Sequence, residues 1–216
     1  MLNPPIVLAD LPVAYQTYRW HKKHALYGYP ADEYPHFHWI ASLEQRFGWL
    51  RQHIADSSGP YLFREMIQWG GSQNGVLQKV DDGAAEVCFA DIMQRVVGAL
   101  PNPASAIDAA LNIPGVGLTY ASKLLRFLDP ENYGALDSRI RAGLAERQWT
   151  DAAGIAITIA DNQGAAMING YCMYLRELNQ LRVDLHGNHI DCPPSALNPT
   201  GRWRLADVEL ALFQYL

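Results

Sequence analysis

The residues most suited to chemistry in this chain are Ile113-Pro114-Gly115-Val116-Gly117 and, twenty positions after Gly117, Asp137. Pro114 fixes its own φ and ends a helix. Gly115 and Gly117 open backbone angles closed to other residues and leave no side chain in the way of an approaching anion. A helix that begins just after Gly117 has first-turn amides without intrahelical acceptors, so hairpin and helix end together suit a phosphate. Val116 points inward and anchors the turn. Asp137 is suited to cap the next helix by accepting backbone N–H bonds, worth about 0.5–2 kcal/mol. A carboxylate held in that way is also available as an anion beside a group that develops positive charge.

These residues need elements to position them. After Gly117 the apolar residues Leu118, Ala121, Leu124, Leu125 and Leu128 form a helical stripe, with Thr119, Ser122, Lys123 and Arg126 on the opposite side, expected to be free to meet a ligand. That helix stops near Asp129-Pro130, and Leu136-Asp137-Ser138-Arg139-Ile140 opens another. Along the chain, apolar spacing predicts helices over 11–26, 37–55, 60–69, 84–100, 103–111, 117–128, 137–148, 164–185 and 205–216. No sustained strand alternation, fixed-period repeat or Gly/Ser linker competes, so the expectation is one all-α domain over residues 1–216.

At residues 113–140 the chain resembles the helix-hairpin-helix DNA glycosylase superfamily, which includes endonuclease III, the adenine glycosylase of mismatch repair and the 8-oxoguanine glycosylases. The resemblance implies two helical lobes around a cleft, with 84–160 as the hairpin lobe and 1–83 plus 161–216 as the other. It also implies DNA as partner, held through local phosphate contacts by Pro114, Gly115, Val116, Gly117 and Thr119, with a monovalent cation at the hairpin. Asp137 would assist departure of a damaged or mispaired base. Members that also cut the strand place a lysine two residues after the second hairpin glycine, where this chain has Thr119, which implies hydrolysis of the N-glycosidic bond without a lyase step. Lys123 lies one helical turn beyond Thr119 and is a displaced amine nucleophile only if it is desolvated. Cys88, Cys172 and Cys192 are too few and too scattered for the four-cysteine iron–sulfur loop of the endonuclease III branch, and no cofactor is expected.

A flipped base needs stacking and edge hydrogen bonds. Gln68, Trp69, Gln73 and Asn74, around the bend Gly70-Gly71-Ser72-Gln73-Asn74-Gly75, are the candidates for a base pocket or a duplex wedge. The alternative there is a helix with a core tryptophan and a polar loop. Tyr133 and Trp203 are further aromatics without positional support.

The net charge of -5 and a pI near 5.8 argue against a broadly basic surface, so a local patch has to hold phosphate. Arg126, Arg139 and Arg141 are its expected basic contacts. His36 with His38, and His186 with His189 and Cys192, have metal-like intervals but no fourth ligand, so no metal is expected. The N-terminal residues lack a signal peptide's basic start and no apolar run spans a bilayer, which points to a cytoplasmic, membrane-free protein. Two other readings stay open: a noncatalytic nucleic-acid-binding module in which Asp137 only caps a helix, and a helical scaffold for protein partners.

Overall fold

The computed structural model describes residues 5–83, 88–150, 157, 159 and 164–216. Among them are α1 (Leu11–Gln16), α2 (His38–Leu50), α3 (Gly59–Trp69), α4 (Val76–Gly83), α5 (Phe89–Ala99), α6 (Pro103–Leu111), α7 (Leu118–Leu128), α8 (Ser138–Glu146), α9 (Gly164–Gly187) and α10 (Leu205–Tyr215). Two short strands, β1 (Arg19–Trp20) and β2 (Asp32–Glu33), pair antiparallel with Trp20 opposite Asp32. The protein is therefore helical apart from this one ribbon among the described residues. No helix among them is long and apolar enough to cross a membrane.

Two departures from the sequence expectation bear on the site. The helix predicted over 11–26 ends at Gln16, where the Thr17 hydroxyl turns back onto the Val13 and Ala14 carbonyls and competes with the helix ladder. Tyr18 and Trp20 continue the apolar spacing, but Trp20 is in the ribbon and Lys23 adopts φ +62°. The second departure is α4, which follows a bend with positive φ at Gly71, Ser72, Asn74 and Gly75 and was not expected. Residues 84–87 and the lobe boundary expected at 160/161 lie outside the described residues.

One continuous buried cluster runs from Leu11 to Phe213. α7 lies inside it, packed against α2, α3 and α6, and every residue from Tyr120 to Leu128 is buried. The open polar face expected for α7 is thus corrected at Ser122, Lys123 and Arg126, each of which has a different reason to be inside, while Thr119 stays half-buried. The Ser122 hydroxyl donates to the Thr119 carbonyl at 3.1 Å and accepts from the Leu136 amide at 2.9 Å.

Arg126, expected to touch DNA, is 0% exposed and belongs to a buried ionic network. Its Nη1 lies 2.8 Å from Glu44 Oε1 and its Nε 3.6 Å from Glu209 Oε2. Glu44 also takes Arg204 at 2.9 Å, and Arg204 clamps Asp207 with two bonds of 2.8 Å. The network ties α2, α7 and α10 together. Burial pushes the Glu209 carboxyl up to about 8, against the pull of the Arg126 guanidinium.

Candidate functional site

The hairpin is a type II turn. The Val116 amide donates to the Ile113 carbonyl at 3.1 Å, with Pro114 at the second position and Gly115 at the third with φ +76°. Gly115 has a second reason to be glycine, since a Cβ there would fall 2.5 Å from Lys79 Cβ and 2.9 Å from the Lys79 carbonyl carbon. A Cβ on Gly83 would meet Pro114 Cβ at 2.2 Å, so α4 backs the hairpin closely.

Gly117 differs. It caps α7 with an ordinary φ of −98°, and a Cβ there would meet nothing within 4 Å. Its missing side chain leaves open space for a ligand and is not required by packing. Among the described residues, the amides of Gly115, Gly117, Leu118 and Thr119 have no hydrogen-bond acceptor. They form a cluster of donors at the N-terminus of an eleven-residue helix, where the macrodipole favours an anion.

These groups line a cleft of about 990 Å³. Thr119, Lys123, Asp137, Arg139, Arg141, Gln73 and Asn74 also line it, so most of the candidates named from sequence share one space. Among the described residues its charged lining is Lys22, Lys79, Lys123, Arg139 and Arg141 against Asp137 alone. A chain of net charge -5 therefore carries a strongly cationic cleft, as phosphate binding requires.

Asp137 caps α8, with Oδ1 accepting from the Ile140 amide at 3.0 Å. Its approach from α7 is fixed by buried bonds. Leu136 donates to Ser122, Tyr174 donates to the Ala135 carbonyl at 2.9 Å, and Tyr171 donates to the Gly134 carbonyl at 3.0 Å. The carboxylate is thus held by α7 and α9 while remaining half-buried at the cleft wall.

Lys123 is 5% exposed, yet it still lines the cleft. Its ammonium lies 5.6 Å from the Trp69 ring centre and 5.5 Å from that of Tyr120, and among the described residues it makes no ion pair or hydrogen bond. Burial lowers its pKa, Asp137 and Glu209 oppose that shift, and Lys22 adds to it. The desolvation that an amine nucleophile needs is therefore present.

Three candidates are not in the cleft lining. Gln68 is half-buried on α3 away from it, Trp69 is in the core with Nε1 donating to Asp32 at 3.0 Å, and Arg126 is in the ionic network. Tyr133 and Trp203 are core residues bonded to the Leu100 and Ile190 carbonyls. Among the described residues no His, Cys, Asp or Glu cluster could hold a metal.

Sequence reasoning missed Trp20, Lys22, Lys79, Tyr120 and Phe213, all of which line the cleft. Lys79 lies on the unexpected α4, and Trp20 and Lys22 lie where a helix was expected. Tyr120, inside the motif, was the one within reach, since it lies one turn before Leu124 on the helix that leaves the hairpin. No family model, curated protein or solved structure matches this chain.

Proposed function

We propose that this cleft binds nucleic acid by its backbone and excises a base, in a two-lobed helix-hairpin-helix glycosylase-like fold. The observation that carries the reading is the meeting of the hairpin amides and Asp137 in one cationic cleft of an acidic chain. A phosphate sits on the amides of Gly115, Gly117, Leu118 and Thr119. The sugar of an extruded nucleotide then lies toward Asp137. As the C1′–N bond breaks, its electron pair leaves with the base, the Asp137 carboxylate stabilises the positive charge on the sugar, and water adds at C1′ and gives a proton up to the departing base. Arg139 and Arg141 contribute to the cationic field.

A second reading is favoured by the burial of Lys123. Its neutral amine attacks C1′ in place of water as the base leaves with the bonding pair and one amine proton, the C1′–O4′ bond opens to an imine as the second proton passes to O4′, and loss of a C2′ proton then expels the 3′-phosphate and cuts the strand.

The test is base release from oligonucleotides by the unmodified protein and by Asp137→Asn, which keeps a residue suited to capping α8. Release by the unmodified protein alone supports excision. Binding that is lost in Gly117→Glu, without release on any substrate, leaves the noncatalytic module. Binding that is absent altogether leaves the scaffold.

A further inference from the structure

Two tryptophans meet beside the cleft and are held in opposite ways. Trp69 is buried, and its indole is used up by Asp32, whose carboxylate also accepts from the Trp39 and Ile40 amides at 2.8 and 3.2 Å. Trp20 is only half-buried and lines the cleft. Its orientation is fixed at three points. The Nε1 donates to the Trp69 carbonyl at 2.7 Å, the ring meets Phe213 edge-on at 5.8 Å, and the backbone is paired with Asp32 in the ribbon. Over the ring, 5.1 Å from its centre, lies the ammonium of Lys22, an exposed side chain.

We propose that Trp20 is a stacking platform for an unpaired nucleobase, and that Lys22 leaves the ring to meet the phosphate of the same nucleotide. The inference rests on the nucleic-acid reading of the cleft and adds the residue that receives the base. An exposed cation over an aromatic ring is a weaker contact than a base stacked on an aromatic side chain, so the exchange favours the base. The anchored indole has little rotamer freedom left to lose, which also favours stacking. Trp69, the sequence-based candidate for this role, is excluded from it by its burial.

The test compares two duplexes that differ at one central position, a mismatched base in one and a tetrahydrofuran abasic analogue in the other. Binding is followed by anisotropy. Trp20→Leu is expected to weaken the mismatched duplex about tenfold and the abasic duplex less than about twofold. Trp20→Phe, which keeps a stacking ring, is expected to restore most of the difference, and it also serves if Trp20→Leu does not fold. Lys22→Ala should weaken both duplexes and reduce the salt slope by about one. Equal loss on both duplexes in Trp20→Leu, or no gain from Trp20→Phe, overturns the platform while the nucleic-acid reading stands. Failure of the unmodified protein to bind either duplex overturns both.

Discussion

α7 buries two cations within one helical turn of each other and treats them differently. At the C-terminal end Arg126 is fully enclosed with Glu44 at 2.8 Å and Glu209 at 3.6 Å, a network that Arg204 and Asp207 extend to the start of α10. In the middle of the helix Lys123 is nearly as buried, but its ammonium has the Trp69 and Tyr120 rings where Arg126 has carboxylates. Burying a charge without a direct partner costs stability, and a fold that keeps such a group keeps it against that cost. The contrast separates a cation that fastens helices from one whose chemistry faces a cleft.

Breaking the fastening should have the largest effect. Arg126→Met leaves Glu209 without its cation and Glu44 with Arg204 alone, and a loss of about 3–5 kcal/mol is expected in chemical denaturation. Lys123→Met removes a charge with no direct partner, and its stability should stay within about 1 kcal/mol of the unmodified protein or rise. A loss at Lys123 as large as that at Arg126 would erase the distinction.

Within the hairpin the two glycines sharpen the same contrast between support and use. Gly115→Ala places a Cβ at φ +76° against Lys79 and should destabilise by about 1–3 kcal/mol. Gly117→Ala has ordinary backbone angles and open space, so its melting temperature should hardly move while affinity for DNA falls. Equal thermal shifts in the two variants would argue that the hairpin is only a packing device.

The pH dependence of stability runs in opposite directions at Lys123 and at Glu209 beside Arg126. Lys123 has its pKa lowered in the folded protein from 10.5, so the unfolded chain binds more protons between the folded value and 10.5. The penalty of burying this charge is present below that window and is relieved as pH rises through it. The advantage of Lys123→Met should therefore shrink toward pH 10.5. Glu209 is raised from 4.5 to about 8, so the folded state binds more protons between those values and its contribution is lost as pH rises. Glu209→Gln should gain relative to the unmodified protein from pH 5 to pH 8, as read by denaturant midpoints at each pH. A flat difference across that range would contradict the raised Glu209 value.

How much of this was legible in the sequence follows the range of the interactions. The hairpin and the Asp137 cap are local. Pro114 and Gly115 specify a type II turn, and Asp137 and Ile140 make a cap within one helical turn. The surroundings of α7 are not local. Glu44 and Glu209, which enclose Arg126, come from α2 and α10, so periodicity read from residues 118–128 alone put Arg126 on an open face. Trp20 escaped for a related reason. Its apolar spacing fits a continuing helix, and only the pairing with Asp32 makes it part of a ribbon.

The most direct test of the account is a single gel of lesion-bearing strands carrying 8-oxoguanine, uracil, hypoxanthine, an alkylated purine or mismatched adenine, with and without alkali, for the unmodified protein, Asp137→Asn and Lys123→Met. The account predicts base release on at least one strand by the unmodified protein and its loss in Asp137→Asn. Cleavage without alkali that disappears in Lys123→Met would assign the amine its role, and cleavage only after alkali would leave water as the nucleophile. Release by Asp137→Asn at the unmodified rate, or no release on any strand, would contradict the account.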